Sequence, residues 1–304
     1  MRRVARAAAA LLALGLLASL AACGDGSPAN GSDRASGGRR AGATIARTVD
    51  SAVFTVDCDF SHRALDDPIV FPGRPGASHL HDFFGAVDVD AGSTAESLRD
   101  GDTTCEDRED TASYWAPALL HGDEPVDPIK LRAYYRAAPG ADAAEVRSLP
   151  AGLEMIVGDM HTPEGEWPDL AQVAWGCGLR PRQFHHMPPD DCTPRSPLTL
   201  RLVMPDCWDG KNLASPDHHA HLAASDDGRC PASHPVPILQ VQLSYQYPVW
   251  AATPDAPSPH VDDLTLASGG WQTSHGDLLN AWDQERLDRH TALCVHAMAN
   301  CTIG

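Results

Sequence analysis

The chain has 304 residues, a formal net charge of −18 and a hydrophobic content of 43%. An acidic surface repels phosphate backbones, which excludes a nucleic-acid-binding protein and is compatible with neutral or cationic ligands and metal ions. No internal repeat is visible, and the length after the N-terminal segment suits one domain.

The N-terminus has the organisation of a bacterial lipoprotein signal peptide. A basic start precedes an uncharged apolar run over 7–20, which is shorter than the roughly 20 residues of a membrane span. The run ends in Leu-Ala-Ala-Cys at Cys23, which resembles a lipobox, where the cysteine is lipidated and becomes the new N-terminus. We therefore predict a signal peptide over 1–22 and a membrane anchor on the outer face of the cytoplasmic membrane. An ordinary secreted protein is the alternative.

A flexible tether is expected between the lipidated cysteine and the folded part. Residues 23–50 are rich in Gly, Ser, Ala and Arg, with almost no large apolar side chain. Such a segment buries too little surface to offset the entropy of ordering. We predict one globular domain over 51–304.

Short strand-like runs dominate the predicted domain. They combine β-branched and aromatic residues and are separated by stretches rich in Pro, Gly and Asp. The runs cover residues 52–57, 129–135, 153–157, 198–203 and 237–247.

Residues 279–298 are the one good candidate for a helix. In this segment a helix would place Leu279, Trp282, Leu287 and Leu293 on one buried face. Together these elements predict a mainly β protein. The expected fold is an antiparallel, jelly-roll-like β-sandwich with long disulfide-pinned loops and one C-terminal helix.

The nine cysteines indicate an oxidising compartment. Lipidation uses Cys23 and leaves an even number, so we predict four disulfides. CxxC pairs are absent from the sequence, which disfavours a zinc ribbon or a thioredoxin-like site. We predict sequential pairing, namely Cys58–Cys105, Cys177–Cys192, Cys207–Cys230 and Cys294–Cys301.

Fifteen histidines form clusters, and the first is Ser-His-Leu-His-Asp at 78–82. In an extended chain His79 and His81 share one face and Asp82 lies on the other. A His-x-His pair is a common metal-ligand spacing, whereas a buried pair bonded to loop carbonyls is the alternative.

The second cluster follows Cys207 and contains Trp208, Asp209 and Asn212, then His218 and His221. On a helical turn the two histidines would share a face because they are three residues apart. Asp209 and Asn212 either contact a ligand or accept turn hydrogen bonds.

The third cluster is His275-Gly276-Asp277, where a carboxylate can orient an imidazole base and glycine permits close backbone approach. The alternative for Asp277 is the N-cap of the candidate helix. Tyr114 and Trp115 form the fourth motif, either as sugar-stacking aromatics or as core residues.

The order SHLHDFFG, YWAPAL, GLEMIVGD, CWDGKNL and HGD resembles DUF1996, a family of exported bacterial and fungal proteins. The resemblance covers roughly residues 52 to 301. Fungal members are often joined to modules thought to bind carbohydrate, which implies a polysaccharide context by association. His219 does not occupy a motif position. The positions that do include His79, His81, Asp82, Tyr114, Trp115, Trp208, Asp209, Asn212, His218, His221, His275 and Asp277.

Three functions remain open, so the sequence does not decide whether the protein is an enzyme. The first is a hydrolase or lyase acting on polysaccharide, with catalytic Asp82, Asp209, His275 and Asp277 and substrate-binding Tyr114, Trp115, Trp208 and Asn212. The second is a zinc or copper protein with the ligands His79, His81, His218 and His221. The third is a non-catalytic wall-binding module. The first two require His79, His81, His221, His275 and Asp277 to meet in an open cleft.

Overall fold

A computed structural model describes residues 52–302, which lie within one compact unit of the chain. The predicted signal peptide, Cys23 and the predicted tether lie outside the described residues. Within 52–302, no helix has the length and apolar character needed to cross a membrane.

Strands make up most of the regular structure. In chain order they are β1 (Val53–Cys58), β2 (Phe60–Ala64), β3 (His81–Gly85), β4 (Ser113–Pro117), β5 (Leu119–His121), β6 (Glu124–Pro125), β7 (Lys130–Arg136), β8 (Glu154–Gly158), β9 (Val173–Cys177), β10 (Leu198–Val203), β11 (Cys207–Trp208), β12 (Leu222–Ala223), β13 (Val236–Pro237), β14 (Gln240–Gln246), β15 (Leu264–Leu266), β16 (His275–Leu279) and β17 (Asn300–Thr302). The α-helices are α1 (Ala95–Arg99) and α2 (Gln284–His290), and a π-helical turn, Thr291–His296, continues α2.

Two sheets form the body of the domain. The first has the strand order β17-β1-β7-β14-β10-β9, and the second has the order β2-β3-β4-β16-β8. Their neighbouring strands are antiparallel except for β1 and β17, which run parallel. Two three-stranded sheets, β12-β11-β13 and β15-β5-β6, complete the set.

The core lies between the two large sheets, because alternate side chains of each strand point into it. On β7, Leu131, Ala133 and Tyr135 are buried in this core together with Tyr114 and Leu278 of the second sheet. Hydrogen bonds also join the sheets: Tyr245 Oη donates to the Trp115 carbonyl at 3.2 Å, and Trp175 Nε1 donates to Ser274 Oγ at 3.1 Å. The structure confirms the predicted antiparallel β-sandwich.

A second, smaller apolar cluster covers the outer face of the second sheet. Phe83, Trp115 and Leu279 belong to it, and loop residues such as Ile69 and Val89 pack over them. This face of the sheet is therefore buried beneath loops, which places polar residues on it in a partly dry environment.

All five predicted strands are present, as β1, β7, β8, β10 and β14. The predicted helix over 279–298 is wrong at its start, because Leu279 ends β16 and α2 begins at Gln284. Its N-cap is Asp283, whose side chain accepts a hydrogen bond from the Arg286 amide at 2.8 Å. Leu293 is 60% exposed and does not share the buried face of Leu287.

The four disulfides have the predicted pairing. Cys58–Cys105 closes the longest loop, and Cys177–Cys192 and Cys207–Cys230 pin the long loops beside β9 and β11. Cys294–Cys301 ties β17 to the π-helical turn. Each bridge restricts the conformations of the unfolded chain between its two cysteines.

Gly276 allows β16 to approach the opposite sheet closely. A Cβ atom added at this position would lie 2.2 Å from Leu202 Cδ1 and 3.1 Å from the Trp115 carbonyl oxygen. Leu202 is fully buried in the core, so it cannot turn aside without opening a void elsewhere. The absence of a side chain at Gly276 is thus required by the spacing of the two sheets.

We expect Gly276→Ala to lower the free energy of unfolding by about 1–3 kcal/mol, because the added methyl group overlaps Leu202. Leu202→Ala alone should cost about 2–5 kcal/mol. In the double variant the new methyl group occupies part of the vacated space. The combined loss, measured by urea denaturation, should therefore fall below the sum of the two by more than ~0.5 kcal/mol. Strict additivity would contradict the assigned contact.

Candidate metal centre

Two strands of the second sheet bring imidazoles and a carboxylate to its outer face. His81 begins β3, His275 begins β16, and Asp277 lies two residues further along β16. Strand β4 separates β3 from β16. Since side chains alternate along a strand, His275 and Asp277 share one face, while Leu278 between Asp277 and Leu279 packs into the core of the sandwich.

Three histidine rings are packed against one another at this face. The ring centroids of His79 and His81 are 4.2 Å apart, those of His79 and His275 are 5.0 Å apart, and those of His81 and His275 are 5.7 Å apart. Each ring offers one nitrogen, and these three nitrogens lie within 4.8 Å of one another. His79 and His81 therefore lie on the same face, as predicted, and His275 lies beside them.

Two carboxylates extend the cluster. One oxygen of Asp67, one nitrogen of His81 and one oxygen of Asp277 also lie within 4.8 Å of one another. All three residues are buried. His81 therefore belongs both to a group of three imidazoles and to a group with two carboxylates.

Backbone carbonyls fix the orientation of two of the rings. His81 Nδ1 donates to the Asp66 carbonyl at 3.0 Å, and His275 Nδ1 donates to the Thr273 carbonyl at 2.7 Å. A carbonyl only accepts, so each proton sits on Nδ1 and leaves the Nε2 lone pair available. This arrangement is the usual orienting contact of a metal-bound histidine.

Several polar atoms of the cluster are buried without a hydrogen-bond partner among the described residues. They are Nε2 of His79, Nε2 of His81 and both carboxylate oxygens of Asp277. A buried polar atom without a partner typically costs about 1–3 kcal/mol. A cation bound between these atoms would satisfy them at once.

Burial controls the protonation of the cluster. It lowers the pKa of His79 to about 3 and that of His275 to about 4, and it holds the pKa of His81 well below its usual value. Burial also raises the pKa of Asp277 well above its usual value, with the charge of Asp67 as the second cause. The imidazoles are accordingly neutral at pH 7, which is the form that binds metal ions.

A pocket of about 240 Å³ opens onto the cluster. Asp67, His275 and Asp277 line it, together with loop residues such as Asp159 and His218. The pocket therefore adjoins the cluster on the side of His275 and the two carboxylates.

Asp82, predicted as a catalytic acid or base, lies outside this cluster. It follows His81 on β3 and points to the opposite side, where Arg63 Nε donates to it at 2.5 Å. Burial raises the pKa of Asp82 to about 6, against the opposing effect of the Arg63 hydrogen bond. Strand alternation, which the sequence already indicated, separates it from the imidazoles.

Tyr114 and Trp115 do not form a surface on which a sugar could stack, because both side chains are fully buried. Tyr114 Oη donates to Asp110 at 2.8 Å, within the core. The Trp115 ring stacks on Phe83 with centroids 5.5 Å apart. The substrate-binding role predicted for them is corrected to a packing role.

Trp208, Asp209 and Asn212 bond to one another in a turn. The Asp209 carboxylate accepts from the amides of Lys211 at 2.8 Å and Asn212 at 2.9 Å, and Trp208 Nε1 donates to the Asn212 carbonyl at 2.6 Å. The alternative reading of Asp209 and Asn212, as acceptors in a turn, is the one observed. Asp209 does not belong to the metal-ligating groups found among the described residues.

His221 was predicted as a metal ligand, and this prediction is wrong. It is buried, and its Nε2 donates to the Glu154 carbonyl at 2.7 Å. The segment forms a turn in which Asp217 accepts from the His219 and Ala220 amides at 3.2 and 2.9 Å, so the helical spacing with His218 is lost. His218 lines the pocket, together with His219, which the family pattern excluded.

Sequence reasoning missed Asp67. It stands in an Asp-Asp-Pro turn, where its carboxylate accepts from the amides of Ile69 at 3.0 Å and Val70 at 2.8 Å. Turn-forming aspartates are common, so the sequence offers no signal for a ligand here. Only the folding of this loop over the second sheet brings Asp67 to His81 and Asp277.

Comparison with known proteins identifies the chain at the level of a family. Neither the curated proteins nor the solved structures gave a match. The family model described as "Domain of unknown function (DUF1996)" matches residues 67–282, which include His79, His81, His275 and both carboxylates of the cluster. The chain therefore belongs to the DUF1996 family.

Proposed function

We propose that the protein binds a divalent transition-metal ion, zinc or copper, between His79, His81 and His275. The observation that carries the proposal is the convergence of three neutral imidazoles, each of which offers one nitrogen within 4.8 Å of the other two. Imidazole ligands suit both metals. The carbonyl contacts of His81 and His275 support it, because they pre-orient the ligand atoms.

The surroundings favour a site with an open coordination position. Three histidines supply three of the four tetrahedral positions of zinc, as in catalytic rather than structural sites. A fourth ligand would come from Asp277, which shares the second group of ligand atoms with His81, or from solvent in the pocket of about 240 Å³ that His275 and Asp277 line. The two overlapping groups of ligand atoms share His81, so this residue is the centre of the proposed site.

Metal binding is tested with protein purified without a histidine tag and stripped of metal. We expect one zinc or copper ion per chain, and about 2.7 kcal/mol of added stability at a free metal concentration of 100 times the Kd. His81→Gln should weaken the affinity by at least about 100-fold, because it removes the shared ligand. The control is His121→Gln, at an exposed histidine outside the cluster. An unchanged melting temperature on metal addition would refute the site.

Asp277→Asn in the same titration decides whether Asp277 is a ligand. Burial and the nearby charge of Asp67 raise the pKa of its carboxyl group, and a ligating carboxyl group must be deprotonated. Calorimetry at pH 6 in buffers of different ionisation enthalpy should therefore detect more proton release by the wild type than by the variant. Equal proton release by the two proteins would show that Asp277 is not a ligand and that only the imidazoles bind the metal.

A second candidate function is metal-dependent hydrolysis or lyase cleavage of polysaccharide. The pocket favours it, because a substrate can approach His275 and Asp277 from solvent. Zinc lowers the pKa of a bound water to about 7, and the Asp277 carboxyl group lies next to His81 in the second group of ligand atoms. Polysaccharide as the substrate rests on the family context, because the described lining of this pocket contains no Trp, Tyr or Phe.

Incubation of zinc-loaded protein with cell-wall and plant polysaccharides tests the second candidate. New reducing ends are expected from a hydrolase and unsaturated ends from a lyase. Both should disappear in His81→Gln and Asp277→Asn and persist in His121→Gln. A failure to form new chain ends on any polymer, with metal bound, would leave a non-catalytic metal-binding protein.

Export and lipid anchoring through Cys23 remain part of the proposal. The four disulfides support an oxidising compartment outside the cytoplasm. Membrane fractionation tests the anchor: the wild type should sediment with membranes and dissolve in detergent. Cys23→Ala should lose this association, and equal sedimentation of the variant would argue against lipidation.

A further inference from the structure

A second cleft lies on the opposite side of the sandwich from the histidine cluster. It has a volume of about 610 Å³ and follows the outer face of the first sheet. Cationic and aromatic side chains line it, among them Arg132, Tyr134, Arg136, Arg180, Phe184 and Arg201. Such a concentration of arginine is unexpected in a chain whose formal net charge is −18.

The sheet register aligns the arginines. On β7 the inward residues are buried, so Arg132, Tyr134 and Arg136 project together from the outer face. Across the sheet, Arg132 pairs with Ser244 on β14, and Ser244 pairs with Arg201 on β10. Gln242, on the same face of β14 as Ser244, lines the cleft.

A pinned loop forms the opposite wall. Residues 179–184 lie between Cys177 and Cys192, which are joined by a disulfide. Backbone hydrogen bonds of 2.8 and 2.9 Å between Trp175 and His185 fix the loop at its far end. Both walls are thus held by covalent or main-chain contacts, so the cleft is largely preformed.

The charge of Arg201 is not neutralised by a carboxylate among the described residues. Its guanidinium donates to Gln242 Oε1 and to the Leu170 carbonyl, both at 3.3 Å, and lies 4.6 Å from the centre of the Phe184 ring. Burial lowers its pKa to about 10, and the nearby charge of Arg136 contributes. By contrast, Arg132 forms an ion pair with Asp57.

A half-buried cation whose charge no carboxylate neutralises is electrostatically unfavourable unless an anion joins it. Guanidinium groups bind carboxylates and phosphates through paired hydrogen bonds, and aromatic rings add apolar contact for the body of a ligand. We propose that this cleft is a binding site for an anionic ligand that carries carboxylate or phosphate groups. It is separate from the proposed metal centre, because the core of the sandwich lies between the two.

Calorimetric titration of the purified full-length protein at low salt tests the site. The probes are an oligogalacturonate, tripolyphosphate and a neutral oligosaccharide of the same length as the first. We expect at least one anionic probe to bind with one-to-one stoichiometry, more weakly at higher salt, and the neutral probe not to bind. Binding of the oligogalacturonate alone would assign the ligand to acidic glycans, and binding of tripolyphosphate alone would assign it to phosphates.

Arg201→Gln should weaken binding by about 10-fold or more, because a hydrogen-bonded charge is lost. Arg180→Gln, at an exposed residue that should not affect folding, should weaken it in the same direction. The matched control is Arg289→Gln, at an exposed arginine on α2 outside the cleft. His81→Gln should retain the affinity, which separates this site from the metal centre. Absence of binding by both anionic probes, or equal weakening by the control, would overturn the proposal.

Discussion

The alternation of side chains along strands that share one core is the constraint on which the structure depends. Each strand of the two large sheets turns one set of side chains inward, where residues such as Tyr135 and Leu278 pack together. The other set of side chains lies on the two outer faces, where polar residues can be accommodated. On the second sheet it supplies His81, His275 and Asp277, and on the first it supplies arginines.

Much of this arrangement could be predicted from the sequence, because it follows from local rules. Strand periodicity identified β7 and β14, and the His-x-His spacing placed His79 and His81 on one face. Sequential disulfide pairing was correct because each bridge closes a local loop.

The remainder depends on tertiary folding. Asp67 reaches the cluster only through a loop that carries no ligand-like spacing. The sequence around Tyr114 and Trp115 does not distinguish buried aromatic side chains from exposed ones. In the fold, both side chains are buried. His221 was misplaced because an Asp217 turn replaced the assumed helical geometry. The arginine cleft combines β7, β10 and a distant loop, which no local pattern connects.

Two imidazoles of the candidate metal centre, those of His81 and His275, are oriented by the main chain and not by other side chains. The acceptors are the carbonyl oxygens of residues 66 and 273, and a carbonyl is present whatever amino acid occupies a position. Substitutions at residues 66 and 273 would thus leave the tautomers of His81 and His275 unaltered, as long as the backbone of these loops keeps its conformation. Among relatives, the orienting contacts of such a centre would persist without any signature in the aligned residue types.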